Sequence, residues 1–251
     1  MTWRVVVSAA VVLALIALLL ATLYLPRQTA RVVPSASPVR SKVTRPPVGN
    51  RTSASAIVDA VAHPQSLHAR PGGPIVGTLS TQTGFGSPRV VPVVSAVSGW
   101  LGVIAPQLRN GRIGWITAHG AALEQIPYSV RIETRSHRLT VFQNGRIVRT
   151  MPTGVGQPAA QTPPGRFAVT DKLNFHPLSL AYGCCALALS AHQPHLLPGW
   201  TGGDLVAIHS TPDVSSIGKS VSHGCVRVSM SQGRWLVDHI PLGTLVTVRA
   251  R

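Results

Sequence analysis

Residues 208–228 read IHSTPDVSSIGKSVSHGCVRV, and this segment carries the most informative side chains of the chain. A cysteine, Cys225, follows the run Ser222-His223-Gly224, and a second histidine, His209, ends an apolar run a short way upstream. Nucleophilic thiol chemistry needs a thiolate, a base that generates it, and backbone N–H groups that can turn toward an oxyanion. The segment therefore predicts that Cys225 is a nucleophile in a loop.

Two histidines are candidates for the base that activates the thiol. His223 is tied to the same short loop as the cysteine, whereas His209 follows a predicted strand over 205–208, and a strand end is a rigid platform for a general base. We therefore favour His209 as the base and give His223 a role in shaping the loop or the acceptor site. No Asp or Glu is close enough in sequence to be the obvious group that orients the imidazole, so a backbone carbonyl such as that of Ser210 is a candidate.

Two residues near the nucleophile are candidates to stabilise negative charge on the oxyanion or on the substrate. Gly224 lacks a side chain, so its N–H and that of Cys225 can converge on a developing oxyanion. Arg227, two residues beyond the nucleophile, is a candidate to steer a substrate carboxylate or to brace the loop. A lone Cys or His is more often a structural residue, and it is their combination around one loop that favours catalysis.

Composition restricts the class of partner. The 251 residues carry 23 Lys and Arg against 7 Asp and Glu, a formal net charge of +16, which favours a polyanionic neighbour such as nucleic acid, anionic lipid or acidic cell-wall polymer. The arginines are scattered without an arginine–aromatic ladder or a nucleic-acid-binding motif, so we expect no nucleic acid as a partner. Three cysteines are too few and too badly spaced for a disulfide framework or a zinc site, and the sequence implies no metal and no organic cofactor.

Residues 1–25 are expected to form a membrane anchor. Val5–Leu25 is a run of 21 residues without a charge, long enough as a helix to cross a bilayer core. An uncleaved signal anchor fits this run better than a cleaved signal peptide, with cleavage near Pro34–Ser37 as the alternative. Basic residues on both sides leave the orientation open, and the catalytic interpretation places the carboxyl-terminal bulk outside. Residues 26–56, rich in Pro, Ser, Thr, Val and Arg, are expected to be an extended linker.

Residues 57–127 predict a small β-barrel. Short apolar runs are separated by turn signals such as Asn110-Gly111, a spacing typical of short antiparallel strands. The pair GWLGV (99–103) and GRIGWI (111–116) resembles the closing hairpin of bacterial SH3-like domains, which implies a binding or spacing role. As single residues, the tryptophans of the two strands are more simply explained as core.

Residues 128–251 are predicted to be mostly β. Arg138–Gln143 alternates with period two, and Asn144-Gly145 then turns the chain into Arg146–Met151 as a hairpin. One helix is expected over Ser231–His239. The further predicted strands are Ser129–Glu133, Gly165–Thr170, Leu205–His209 and Leu245–Arg249.

These residues together resemble a known family. The segment 208–228 is similar to the signature of the L,D-transpeptidase catalytic domain: a histidine that ends a strand, an Ile-Gly before the loop, then Ser-His-Gly-Cys-x-Arg. The resemblance extends from about Tyr128 to Val248 and includes TPPGRF (162–167) and the Tyr-Gly stretch 182–190. It implies a β-sandwich-like fold for the catalytic domain. Together with the apolar run and the strand pattern described above, we expect a mainly β chain with an amino-terminal transmembrane helix, a small SH3-like β-barrel and then this catalytic domain.

The resemblance also implies a reaction. Cys225 is expected to attack the carbonyl between the diamino acid and the terminal D-alanine of a tetrapeptide stem in peptidoglycan, releasing D-alanine. An amine of a second stem then resolves the thioester into a 3→3 cross-link. By match to the motif, His209 is the base, and the N–H groups of Gly224 and Cys225 form the oxyanion hole. Substrate contacts are expected from Ser222, His223, Arg227, Ser210 and Tyr182.

Two features depart from the family pattern. Ser210 stands where many members carry glycine, which narrows the pocket or changes only the loop. Cys184 and Cys185 border the expected substrate cleft, where they can form a vicinal disulfide or one of them can pair with Cys225. Two small unpaired residues in a packed segment are the favoured interpretation.

Other functions are compatible with the same residues. The thiol serves equally in an L,D-carboxypeptidase, which uses water as acceptor, or in an enzyme that attaches proteins to peptidoglycan. A non-catalytic wall-binding protein is less favoured, because both His209 and Cys225 are present. The expected partners are stem peptides, anionic cell-wall polymer and, through the amino-terminal helix, the membrane. The expected location is the cell envelope, anchored to the cytoplasmic membrane with the catalytic domain outside, or secreted if the amino terminus is cleaved.

Overall fold

The computed structural model describes residues 56–250 of the chain. The expected membrane anchor at 1–25 lies outside the described residues. The expected linker also lies outside them, except for Ala56, which begins the first strand. Within the described part, no helix is long and apolar enough to cross a membrane.

Residues 56–126 form a seven-stranded sheet, which we call the N-terminal sheet. Its strands are β1 (Ala56–Ala60), β2 (Gln65–His68), β3 (Ile75–Leu79), β4 (Val90–Val97), β5 (Trp100–Val103), β6 (Gly114–Thr117) and β7 (Leu123–Ile126). They are hydrogen-bonded in the order β3-β2-β6-β5-β4-β1-β7, and the pairs are antiparallel. The prediction of short antiparallel strands in this region is confirmed.

The hairpin of β5 and β6 depends on a glycine. Gly102 stands opposite Trp115 in the register, and a Cβ at residue 102 would lie 3.2 Å from the Trp115 ring. Trp100 and Trp115 are half-buried, whereas Leu101 and Ile116 next to them are buried. The core of the sheet is therefore aliphatic, and its other buried members are Val61, Leu67, Leu79, Val91, Val103 and Ala105.

Residues 128–249 form a second unit, which we call the C-terminal domain. Its main strands are β8 (Tyr128–Glu133), β9 (Arg138–Gln143), β10 (Arg146–Pro152), β12 (Gly165–Ser179), β13 (Gly183–His192), β14 (Leu205–Ser210), β16 (Val226–Val228) and β17 (Leu245–Arg249). Their order in the sheet is β10-β9-β8-β17-β12-β13-β14-β16. Two short strands, β11 (Val155–Gly156) and β15 (Ser220–Ser222), pair with each other in parallel, and helix α1 covers Met230–His239. The prediction of a mainly β domain is confirmed.

Strand β12 joins the two halves of the eight-stranded sheet. Its first residues, Gly165–Ala168, pair with β17, and the remainder pairs with β13. The strand predicted over 165–170 is thus too short, because pairing with β13 keeps the backbone extended to Ser179. One apolar core collects buried side chains from both halves and from α1, among them Leu139, Phe167, Leu187, Ile208, Val226, Leu236 and Val246.

Helix α1 begins with a capping box. Ser229 Oγ accepts from the N–H of Gln232, and the Gln232 side chain accepts from the N–H of Ser229. These two backbone N–H groups at the helix start are therefore satisfied. The helix packs against β13 and β14. The helix predicted over 231–239 is confirmed, and the structure begins it one residue earlier.

Gly233 is the closest point between α1 and β14. A Cβ at residue 233 would lie 2.7 Å from Ser210 Cβ, so we expect Gly233→Ala to destabilise the protein by about 1–3 kcal/mol despite the higher helix propensity of alanine. Chemical denaturation measures this change. Arg234→Ala, at the next, exposed position, is the control and should alter stability by no more than about 0.5 kcal/mol. Unchanged or increased stability of Gly233→Ala would contradict the tight contact.

Candidate active site

The parallel pairing of β14 and β16 brings the cysteine loop beside the strand that carries the histidine. The register sets His209 opposite Arg227. Cys225 immediately precedes β16, and the backbone N–H of Ala207 in β14 donates to its Sγ at 3.4 Å. The thiol is therefore fixed next to the strand that ends in His209 and Ser210.

A cavity of about 350 Å³ opens at this loop. Six of the eight predicted site residues line it: Tyr182, His209, Ser222, His223, Cys225 and Arg227. Ser210 and Gly224 do not. The lining also includes Gln193 and Trp200, which the sequence did not single out because they lie in the connection between β13 and β14, where no motif marks them.

His209 is held by a backbone carbonyl. Its Nδ1 lies 2.8 Å from the carbonyl oxygen of Ser210, which can only accept, so Nδ1 carries the proton of the neutral ring and Nε2 keeps a lone pair. This partner is the one proposed from the sequence, and it is confirmed. The Tyr182 ring meets the imidazole edge-on, with ring centroids 5.0 Å apart. Burial lowers the pKa of His209 to about 4, opposed by the Ser210 hydrogen bond and aided by the charge of Arg227.

Cys225 is a half-buried free thiol. Burial raises the pKa of this thiol, while the Ala207 N–H and the positive charge of Arg227 counteract the rise. Since His209 is neutral at pH 7 and the thiol is hard to ionise, the resting pair is a thiol and a neutral imidazole. Proton transfer to the base must therefore accompany attack on a substrate.

Ser222 braces the loop that carries the thiol. Its Oγ donates to the carbonyl oxygen of Cys225 at 2.6 Å and accepts from the N–H of Gly224 at 3.1 Å. The expected role of the Gly224 N–H as an oxyanion donor stays a prediction, and in this structure that N–H donates to Ser222. Gly224 has φ +115°, which a residue with a side chain rarely adopts, so the glycine serves the shape of the loop.

Arg227 brings a guanidinium to the cavity. Its backbone N–H and C=O are paired with Gly154, at 2.8 and 2.9 Å. Its Nη1 lies 4.0 Å from Asp213 Oδ2, and its Nε is buried without a hydrogen-bond partner among the described residues. An unpaired buried donor is costly, and a substrate oxygen would satisfy it.

His223 lies at the solvent-exposed rim of the cavity. Its ring is exposed and stacks on Trp200, with centroids 4.5 Å apart and an angle of 22° between the planes. The Trp200 indole is in turn anchored by a 2.7 Å hydrogen bond to the carbonyl oxygen of Gly203. The stack supports a role in shaping the loop or the acceptor site, as expected from the sequence.

Ser210 is buried behind the base and has no exposed surface. Its Oγ accepts from the N–H groups of Cys184 and Cys185, at 2.8 and 3.2 Å, and donates to the carbonyl oxygen of Tyr182 at 3.0 Å. The expectation that Ser210 contacts substrate or narrows the pocket is wrong, because successive side chains of a strand alternate in direction and His209 occupies the cavity side. Ser210 instead supports the strand from within the domain.

Cys184 and Cys185 are joined as a vicinal disulfide. The favoured sequence interpretation, two unpaired residues, is therefore wrong. Pairing with Cys225 does not occur either, since both residues are buried in β13 and neither lines the cavity. Within residues 56–250, Cys225 is the one free thiol.

Acyl transfer through a thioester is the chemistry that a thiol and a neutral base around a shared cavity support, so the C-terminal domain belongs to the class of cysteine acyltransferases. The family comparison makes this specific. Residues 127–248 match the model of the YkuD family, described as the L,D-transpeptidase catalytic domain. The resemblance inferred from the sequence motif is thereby confirmed.

The chain is also similar to individual proteins with L,D-transpeptidase names. A Bacillus licheniformis protein named L,D-transpeptidase YkuD is 29% identical over 152 residues, which are 61% of this chain and 76% of that protein. L,D-transpeptidase 1 of Mycobacterium tuberculosis is 31% identical over 122 residues, so the match spans 45% of this chain and 47% of that protein. The solved structure of the LD transpeptidase LdtMt1 in complex with imipenem is 23% identical, covers 64% of this chain and 90% of its own, and has a TM-score of 0.40.

The neutral state of the pair predicts the pH dependence of thiol reactivity. Because burial raises the pKa of Cys225 and lowers that of His209, we expect alkylation by iodoacetamide to accelerate continuously from about pH 6 to about pH 9, as the thiolate fraction grows. Intact-mass time courses measure the rate, with Cys225→Ser as the background. A plateau between about pH 5 and pH 7 would instead reveal a preformed thiolate–imidazolium pair.

Proposed function

We propose that this chain is a peptidoglycan L,D-transpeptidase that forms 3→3 cross-links, with Cys225 as nucleophile and His209 as general base. The observation that carries the proposal is the free thiol at the same cavity as an imidazole whose proton is fixed on Nδ1, inside the family-matched domain. A neutral imidazole with a lone pair on Nε2 is the form that accepts a proton.

The first half-reaction acylates the enzyme. His209 Nε2 takes the proton from Cys225 Sγ as the sulfur attacks the carbonyl carbon between the diamino acid and the terminal D-alanine. The N–H of Cys225 is the proposed donor to the oxyanion of the tetrahedral intermediate. The C–N bond then breaks, the amine of D-alanine leaves with the proton from His209, and a thioester remains.

The second half-reaction regenerates the thiol. The side-chain amine of a second stem attacks the thioester and gives up a proton to His209, and that proton returns to Sγ when the C–S bond breaks. The product is an amide that links two diamino acids. Water in place of this amine would make the enzyme a carboxypeptidase, and a protein amine would make it an anchoring enzyme.

The charge of the cavity supports a peptide that ends in a carboxylate. Arg227 has an unpaired buried Nε and a guanidinium that is only loosely engaged by Asp213, at 4.0 Å. Arginine presents a planar set of donors that matches a carboxylate. We propose that this guanidinium binds a carboxylate of the donor stem and that Tyr182 and the Trp200–His223 stack flank the peptide.

We propose that the protein works in the cell envelope. The apolar run Val5–Leu25 supports an anchor in the cytoplasmic membrane with the catalytic domain outside, or secretion if it is cleaved, and the net charge of +16 supports attraction to anionic cell-wall polymer. Residues 26–56 are the proposed linker, 57–127 a proposed SH3-like barrel, and 128–251 the proposed catalytic domain. The antiparallel hairpin of β5 and β6 supports the SH3-like assignment.

Acylation by a carbapenem tests the proposal directly. We expect the purified chain to gain the mass of one carbapenem, because the thiol attacks the β-lactam carbonyl as it would the stem. Cys225→Ala should gain none, and His209→Ala should react at least about 100-fold more slowly, since it lacks the base. Intact-mass spectrometry follows the adduct. A wild-type protein that is neither acylated nor active on a tetrapeptide stem would overturn the proposal.

The acceptor is identified by product analysis. With a tetrapeptide stem and no other peptide, we expect released D-alanine and a dimer linked between two diamino acids, because the second stem supplies the amine. Mass spectrometry of the products distinguishes this dimer from a tripeptide, which is the product of hydrolysis. Tripeptide alone would make the enzyme a carboxypeptidase and would contradict the transpeptidase assignment.

A further inference from the structure

Gln193, the residue after β13, lies against the backbone of the cysteine loop. Its Nε2 donates to the carbonyl oxygens of His223 and Gln161, both at 3.0 Å, and its Oε1 accepts from the N–H of His195 at 3.1 Å. Since carbonyls only accept and an N–H only donates, these partners fix the orientation of the amide. Gln193 is 6% exposed, and loss of its side-chain amide would remove all three of these hydrogen bonds.

This contact reaches the residue next to the nucleophile. A Cβ at position 224 would meet Gln193 Nε2, so a side chain at this position would displace the amide from the loop. Ser222 already holds Gly224 and Cys225 from one side through its Oγ. The backbone that carries the thiol is therefore held between two side chains, Ser222 and Gln193.

His192, the residue before Gln193, is held by the N-terminal sheet. The Asn110 amide, in the connection between β5 and β6, donates to the His192 carbonyl at 2.6 Å and accepts from the His192 N–H at 2.9 Å. The His192 ring is bound as well: Nε2 lies 2.6 Å from the carbonyl oxygen of Pro106, and Nδ1 lies 2.8 Å from Asp204 Oδ2. Both backbone groups of His192 are thus fixed by one side chain of the other unit.

We infer that Gln193 is a positioning residue for acyl transfer and that the N-terminal sheet sets its position through Asn110. The inference rests on the proposed function, because it concerns the rate at which Cys225 is acylated. The path is short: Asn110 holds the backbone of His192, the next residue is Gln193, and its amide holds His223 and Gly224. The N-terminal sheet is then part of the alignment of the nucleophile, in addition to any binding role of its own.

The test is the acylation rate of the full chain by a carbapenem over a series of concentrations, followed by intact mass. For Gln193→Leu we expect the maximal acylation rate constant to fall about 10- to 100-fold, because a small misplacement of the thiol has effects of this size. The half-saturating concentration should change by less than about 3-fold, since the cavity walls are kept. For Asn110→Ala, a residue that does not line the active-site cavity, we expect a fall of about 3- to 10-fold in the same rate constant.

A matched control separates this path from a general weakening of the interface. Thr83 donates from its hydroxyl to Asp171 across the same pair of units but has no connection to His192 or Gln193. Thr83→Val should acylate within about 2-fold of the wild type, as expected for an interaction outside the coupled set. Alkylation by iodoacetamide depends on the exposure and ionisation of the thiol but not on its alignment with a substrate carbonyl, so its rate should stay within about 2-fold in all three variants.

The double variant Asn110→Ala, Gln193→Leu decides whether the two residues act in series. We expect it to be no slower than Gln193→Leu alone, because the first change has no further effect once the amide is gone. The inference is overturned if Asn110→Ala acylates at the wild-type rate, if Thr83→Val slows acylation equally, or if the two single effects multiply. If Gln193→Leu does not fold, the comparison of the acylation rates of Asn110→Ala and Thr83→Val tests the inference. Failure of the wild type to be acylated would instead overturn the proposed function.

Discussion

The hydrogen bond from His209 Nδ1–H to the carbonyl oxygen of Ser210 is the interaction on which the rest of the site depends. It selects the tautomer that leaves Nε2 free, without a carboxylate in the role of orienting group. The carbonyl is itself rigid because the Ser210 side chain is tied to β13 through the Cys184 and Cys185 N–H groups, and because Gly233 lets α1 approach it. The helix, the vicinal cysteines and the base are therefore a single packing arrangement.

Burial gives this arrangement its chemical character. Burial lowers the pKa of the His209 imidazole to about 4, so it is neutral at pH 7, and burial also raises the pKa of the half-buried Cys225 thiol, which disfavours its ionisation. The only cation at the cavity with an unsatisfied buried donor among the described residues is Arg227. The base and this guanidinium thus belong to neighbouring strands, since His209 in β14 lies opposite Arg227 in β16.

The residues whose roles follow from the chemistry of their side chains could be predicted from the sequence. Cys225, His209 and Arg227 follow from a local motif, and the Ser210 carbonyl follows from the lack of a nearby carboxylate. The direction of the Ser210 side chain could not be predicted, because the alternation along β14 has meaning only once His209 is known to face the cavity. Gln193 and Asn110 carry no motif. Asn110 contacts His192, 82 positions away in the chain, and Gln193 contacts Gln161 and His223, 32 and 30 positions away, so only the packed fold brings these residues together. The hydrogen bond from the Gly224 N–H to Ser222 Oγ could not be predicted either, because it depends on the conformation of the loop that both residues share.

The order of strands in the C-terminal domain has a consequence for how the protein is made. β17, the last strand of the chain, lies between β8 and β12 in the interior of the sheet, and it pairs in parallel with the first strand of the domain, Leu245 opposite Ser129. Such pairing joins the two ends of the domain, and a contact of this sequence separation is slow to form. During synthesis the sheet has a gap at its centre until residues 245–249 emerge, so the domain completes its fold only after translation of its final strand. The cavity that holds Cys225 therefore belongs to a domain whose sheet closes only when its final strand is added.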